Sequence, residues 1–366
     1  MDRREFLKKS GQAALAIGAG LTLEEVLSGC ATTETQDSQV KDSLEKPRTV
    51  IYPPLKGHKV QPPAEGCLVG FRREIFSNPG KTREDRFSYF ADYYEKYLGR
   101  IPGVLMVYEG SSLLRGFAME TEALGKRGTK LFIFAKTFND SPKKPLEDPM
   151  ELKDIINGKY ESEISGFAQG AKWYGEHYGG FFISTMQEMN GSWNFYGKQP
   201  DLFKKAWQHV WEKFEERGTN QFATWVWSFG ACGGVCPPGY IGCDNPNIYY
   251  PGNQFVDWIG WSAYARNTQP ELDKSYRSLN IDAYQQMLVK NKPLMQAEFG
   301  KSDDFRQGKW LREAFQTIKS WPEIKAAIYW DIPEHKLGDD HRLNGSSFAV
   351  LQKLLKDPYF IMAKQA

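Results

Sequence analysis

From Gly66 onward the chain alternates short apolar runs with longer amphipathic ones. Eight short runs read as strands: Cys67–Phe71, Val104–Tyr108, Lys130–Ala135, the run from Gly180 into Glu188, Phe222–Trp227, Asp257–Trp261, Leu294–Ala297 and Ala326–Trp330. Most are apolar on consecutive positions rather than alternate ones, the pattern of parallel strands covered on both faces. Between them lie helical stretches. Arg83–Leu98 is rich in aromatics at helical spacing and stops at Gly99. Ile164, Phe167, Ala168, Ala171 and Tyr174 share one helical face, and Phe203, Ala206, Trp207, Val210 and Phe214 another, closed by Gly218. Strand and helix in alternation, eight times over, predict an α/β protein with a (β/α)8 TIM barrel as a single domain, residues 66–366. A doubly wound open sheet would need a Gly-rich phosphate loop after its first strand, and none follows Phe71.

The first 65 residues do not share this pattern. Arg3-Arg4-Glu5-Phe6-Leu7-Lys8 resembles a twin-arginine export consensus, and the apolar run Gln12–Leu23 behind it is too short to span a bilayer. Leu27-Ser28-Gly29-Cys30 resembles a lipobox, with Cys30 the residue lipidated after cleavage. Residues 1–30 therefore read as a signal peptide, and the mature protein as a lipoprotein anchored to a membrane, periplasmic or at the cell surface. Residues 31–65 read as a tether, first polar and flexible, then stiffened by Pro47, Pro53, Pro54, Pro62 and Pro63.

Composition removes several function classes. The 47 basic and 45 acidic residues leave a net charge of +2, so there is no electrostatic footprint for nucleic acid. Only five His occur, and no cofactor or metal is expected. Cys232, Cys236 and Cys243 share one loop with no His to complete a zinc tetrahedron. Cys67 begins strand one at the opposite end of a barrel, so it should be a buried free thiol, with one disulfide in the loop that involves Cys243. No Gly-x-Ser-x-Gly elbow is present for a serine hydrolase. The 14% aromatic content, with 11 Trp and 18 Tyr, suits the faces of sugar rings.

Two apolar strands run into a carboxylate, Glu188 and Glu298. Apolar surroundings raise a carboxyl pKa, which suits a general acid, while a second ionised carboxylate can attack an anomeric carbon. Gln187-Glu188-Met189-Asn190-Gly191-Ser192-Trp193 resembles the acid/base motif of glycoside hydrolase family 26, mostly β-mannanases. Asn157–Glu161, Trp225–Ser228, Tyr250–Gly260 and Ala297–Gly300 resemble further family segments in the same order. The resemblance implies a retaining endo-β-glycosidase without cofactor, with Glu188 as acid/base and Glu298 as nucleophile. It implies that Tyr264, otherwise a rim aromatic packing the barrel mouth, hydrogen-bonds the nucleophile. Trp330 at the end of strand eight is read as a stacking platform for a sugar ring or as core, and Trp193, in a rim loop after Gly191 and Ser192, as a second platform. Asn190 is expected to orient Glu188 at the substrate or to cap the next element. Gln187 stands where the family usually carries His, and Tyr196 where many members have a second Trp; the first change bears on which sugar is held. β-1,4-Mannan is the expected substrate, with mixed-linkage glucan, β-1,3-xylan or an exopolysaccharide as alternatives. A non-catalytic glycan-binding or exopolysaccharide-assembly lipoprotein is the alternative from another class. A monomer is expected.

Overall fold

The structure is a computed structural model that describes residues 49–73, 83–109, 121–135, 152–194, 196–231, 243–268, 270–302, 304–334 and 339–363. The signal peptide, Cys30, the tether up to residue 48, and Cys232 and Cys236 lie outside the described residues.

Eight parallel strands form the barrel: β1 (Cys67–Arg73), β2 (Val104–Glu109), β3 (Lys130–Ala135), β4 (Phe181–Thr185), β5 (Ala223–Gly230), β6 (Trp258–Ala265), β7 (Leu294–Lys301) and β8 (Ile324–Asp331). They pair in sequence order, and β1 returns to β8 from Leu68↔Ala326 to Arg73↔Asp331, which closes the sheet on itself. Helices α1 (Arg83–Leu98), α2 (Leu152–Ile156), α3 (Glu161–Tyr178), α4 (Pro200–Glu216), α5 (Tyr276–Leu288), α6 (Gln307–Ser320) and α7 (Gly345–Leu354) occur between or after the strands. The chain is thus a (β/α)8 barrel, as its hydrophobic pattern predicts.

Strand side chains alternate between two apolar layers. Val104, Met106, Phe132, Phe134, Phe182, Val226, Trp258, Met295, Ala297, Ala326 and Ile328 fill the barrel interior. Their neighbours in sequence, such as Leu105, Ile133, Ile183, Trp225, Ile259 and Leu294, belong to the layer between sheet and helices. The interior column then turns polar toward the C-terminal rim.

Two expectations change. Several strands run three or four residues beyond their apolar stretches: β5 to Gly230, β6 to Ala265, β7 to Lys301. Tyr264 and Glu298 therefore sit inside strands rather than past their ends. Polar rim residues stay in the ladder because a closed sheet gives every strand two neighbours, whatever its side chains.

The domain also begins before residue 66. Val60 is buried in the interior cluster at the barrel floor, and its N–H donates to Thr224 Oγ1 at 2.8 Å. The His58 N–H donates to the Gln221 carbonyl at 2.6 Å, and Lys59 pairs with Asp257 at 2.7 Å. A Cβ at Gly180 would lie 2.3 Å from the His58 carbonyl oxygen, so only glycine lets this segment pass. The proline-rich stretch up to residue 57 leads into a floor strap, and the strap is part of the fold.

Phe360–Ile361 pairs with Cys67 and Leu68 beside it. Cys67 is a buried free thiol, and burial pushes its pKa far up. Cys243 is disulfide-bonded. Both agree with the reading of the cysteines.

Candidate active site

β4 ends at Thr185, and the chain then makes a left-handed turn at Met186 (φ 51°) and Glu188 (φ 56°). L-residues rarely adopt this conformation, which costs on the order of 1–3 kcal/mol and persists where surroundings over-determine it. Here the Glu188 N–H donates to the Ser228 carbonyl at 2.9 Å, and Gly191 N–H closes back on the Glu188 carbonyl at 3.1 Å. The turn leaves the Glu188 side chain half-buried at the rim. Trp193, 39% exposed, donates its indole N–H to Glu188 Oε2 at 2.7 Å. Its ring lies over Gly191 and Gly230: a Cβ on Gly191 would come within 2.3 Å of it.

Asn190 is placed behind this turn rather than at the substrate. It is 1% exposed. Its Oδ1 accepts from the Gly230 N–H at 2.8 Å, and its Nδ2 donates to the Gly230 carbonyl at 2.9 Å. Bound on both sides, the amide ties the turn to β5, an arrangement in keeping with the orienting role. The Asp244 N–H donates to the Asn190 carbonyl at 3.0 Å, and Asn190 Nδ2 also donates to the Asp244 carbonyl at 3.3 Å, next to the disulfide-bonded Cys243. Gln187 is buried, and its Oε1 finds no partner among the described residues. Tyr196, buried below it, donates to the Gln187 carbonyl at 2.8 Å.

Glu298 faces the same rim from β7. It is 2% exposed; its Oε1 accepts from the Tyr108 hydroxyl and its Oε2 from the Tyr264 hydroxyl. Burial, followed by the charge of Glu188, raises its pKa to about 8, against the lowering effect of the two tyrosine hydrogen bonds and Arg72. Burial and the adjacent carboxylate hold both phenols well above their ordinary pKa, so they stay neutral donors. The same Glu188 charge acts on Tyr108, Tyr196 and Tyr264, which places both carboxyls over one set of side chains.

Trp330 completes the floor of this cleft. Its ring meets Tyr108 edge-on at 5.5 Å and Tyr264 at 6.0 Å, and the Arg72 guanidinium lies 5.9 Å from it and 5.5 Å from Tyr108. Behind Tyr264 stand Arg266, 4.9 Å from its ring, and the buried His341, at 5.3 Å. Burial and Arg266 push the His341 pKa down to about 3, so this imidazole is neutral.

The structure thus brings Gln187, Glu188, Trp193, Tyr264, Glu298 and Trp330 to one rim. Arg72 and Tyr108 were missed by sequence reasoning, yet strand parity points at them. They continue the inward columns Leu68–Gly70–Arg72 and Val104–Met106–Tyr108. Among the described residues no group of three or more His, Cys, Asp or Glu is placed to hold a metal. What the arrangement offers is two carboxyls in differing environments, neutral phenolic donors and aromatic faces.

Comparison with known proteins matches residues 139–326 to glycosyl hydrolase family 26. Among curated proteins, the beta-1,3-xylanase TXYA of a Vibrio species is 26% identical over 209 residues, 56% of this chain and 39% of that protein. A beta-1,3-xylanase of an Alcaligenes species is 25% identical over 117 residues, 31% of this chain and 22% of that one. The chain thus spans well under two thirds of these relatives' length. Among solved structures, a modular endo-beta-1,4-mannanase of Cellulomonas fimi aligns with TM-score 0.61 and 15% identity over 81% of this chain and 72% of its own. Bacillus subtilis mannanase man26 aligns with TM-score 0.56 and 18% identity over 82% and 87%. At such identities the likeness to the solved structures is one of fold.

Proposed function

The chain belongs to glycosyl hydrolase family 26 and is a glycoside hydrolase, and from that premise we propose that it is a retaining endo-β-glycanase with Glu298 as nucleophile and Glu188 as acid/base. One observation carries this reading: two carboxyls share a rim, one buried and gripped by two phenols, the other half-buried and touched by an indole N–H.

In the first step Glu298 attacks the anomeric carbon while Glu188 gives its proton to the departing glycosidic oxygen. The C–O bond of the substrate breaks, and a glycosyl ester on Glu298 forms. In the second step Glu188 takes a proton from water, whose oxygen displaces Glu298 and restores it, with net retention. Tyr108 and Tyr264 hold the nucleophile in line and keep its charge on the attacking face. Trp330 offers a ring face for the sugar being cleaved, and Trp193, beside the acid, one for the leaving side. The pair shares protons and titrates as a unit, so Glu298 must lose its proton for attack while Glu188 keeps one.

The substrate is a β-linked polysaccharide. β-1,4-Mannan follows from the motif resemblance around Glu188 and Glu298. β-1,3-Xylan is favoured by the names of the two curated relatives, and Gln187, buried beside the acid where the family usually holds His, bears on which sugar is held without selecting one. Reducing-sugar release from β-1,4-mannan, β-1,3-xylan and mixed-linkage glucan separates them, and proton NMR of the first product reads its anomeric configuration. An α-anomer formed first would overturn retention. Binding measured by calorimetry without turnover would overturn catalysis in favour of glycan binding.

Export through the twin-arginine route and a lipid on Cys30 complete the proposal, resting on Arg3-Arg4 and the lipobox, with the disulfide at Cys243 in keeping with an oxidising compartment. Labelled palmitate should enter the wild type and not Cys30→Ala, and the variant should leave the membrane fraction.

A further inference from the structure

A regular strand cannot put both Ala297 and Glu298 inside the barrel, because neighbouring side chains point to opposite faces. On β7, Met295 and Ala297 lie in the interior cluster, and Gln296 points outward to helix α5. Simple alternation would send Glu298 outward too. Instead Glu298 meets Tyr108 and Tyr264 at the inner rim, and Phe299 packs outward against Tyr276 and Trp310. The phase of the strand flips between Ala297 and Glu298. The pairing records the same event: Trp261 faces Gln296 but Ser262 faces Glu298, which leaves Ala297 as an extra residue in a bulge.

One side chain spans that bulge. Gln296 is 0% exposed. Its Nε2 donates to the Trp261 carbonyl at 3.1 Å and to the Glu298 carbonyl at 2.9 Å, and its Oε1 accepts from the Tyr276 hydroxyl at 2.9 Å. The amide therefore stitches β6 to β7 at the level of the register shift and grips the backbone of the residue whose side chain is being turned. Helix α5 braces the arrangement from outside, since Asn280 also accepts from the Trp261 indole at 2.8 Å. The pocket demands two donors and one acceptor on a single buried group. A carboxylate lacks the donors, and an apolar side chain leaves two carbonyls and a hydroxyl unpaired.

We propose that Gln296 is a positioning residue whose amide builds the bulge that turns Glu298 into the cleft. This rests on the reading of Glu298 as nucleophile. Without the stitch β7 relaxes toward a regular pleat, and the carboxyl swings away from the tyrosine pair. A displacement of about 1 Å at a reacting group can cost about a hundredfold in rate.

The test compares wild type, Gln296→Met and Tyr276→Phe, all as the folded full domain. On whichever polysaccharide the wild type cleaves, Gln296→Met should lower kcat by about a hundredfold with KM within a few-fold. The acidic limb of its pH profile should shift, because a carboxyl turned toward the layer between sheet and helices leaves both the tyrosine hydrogen bonds that lower its pKa and the Glu188 charge that raises it. Carbon-13 NMR of labelled glutamate, with the Glu298 resonance assigned from Glu298→Gln, reads that titration directly. It still decides the role of Gln296 if the wild type cleaves none of the glycans and the functional reading fails. A variant that loses thermal stability alone, with kcat and the Glu298 titration unmoved, overturns the proposal. If Gln296→Met does not fold, Tyr276→Phe decides: it should shift the Glu298 titration in the same direction, and an unmoved titration overturns the idea.

Discussion

In the proposed mechanism Glu188 and Glu298 carry opposite duties in near-identical chemical form, so their variants should fail differently. Glu188→Gln and Glu298→Gln should each lower kcat on polysaccharide by roughly 10²–10⁴-fold. On an aryl glycoside with a good leaving group, Glu188→Gln should regain its first step, since no proton is then needed, while Glu298→Gln stays inactive. Equal rescue of both would contradict the assignment. The buried carboxyl also makes a prediction about stability. Its folded pKa, about 8, lies above the ordinary value of 4.5, so the native state holds a proton that the unfolded state has released across that interval. Stability then falls as pH rises through the window, because the folded form binds more protons than the unfolded one. Glu298→Gln lacks this dependence. Its melting temperature should exceed that of the wild type increasingly between pH 4.5 and 8, and the gap should close below the lower limit. A gap that widens in acid would refute the burial argument.

At the level of elements, the turn after β4 depends on small residues as much as on charged ones. Gly191→Ala puts a methyl group where the Trp193 ring now lies. The ring can move, and doing so breaks its hydrogen bond to Glu188. We expect kcat/KM to drop by about tenfold, the equivalent of about 1.4 kcal/mol, with an almost unchanged melting temperature. The eight strands could be read from the chain because each is a short apolar run set off by longer amphipathic or polar stretches. Their rim extensions could not: Ser228-Phe229-Gly230 or Ser262-Ala263-Tyr264 has no hydrophobic signature, and only closure of the sheet keeps it in the ladder. Glu188, Glu298 and Trp193 were legible from local pattern and motif. Tyr108 and Arg72 needed strand parity carried into the polar zone. Gln296 was illegible, because its role exists only where alternation is broken, and a period-two reading assumes that it is not.

For the molecule as a whole, the floor strap sets where the folding unit begins. A protein lacking residues 1–48 serves as the reference. Removing residues 1–65 takes away the Val60 plug, its bond to Thr224 and the Lys59–Asp257 pair, and should cost about 3 kcal/mol, read by urea unfolding. Equal stability of the two truncated proteins would show that the strap is dispensable. The left-handed backbone at Glu188 reaches further, into how such a protein changes over generations. Glycine or asparagine at this position would relieve the backbone and remove the proposed acid in one step. A laboratory selection for heat resistance alone will therefore favour silencing the enzyme. A gene copy freed from the need to degrade glycan should drift first at this codon, and thermostability libraries built on this scaffold need an activity gate from their first round.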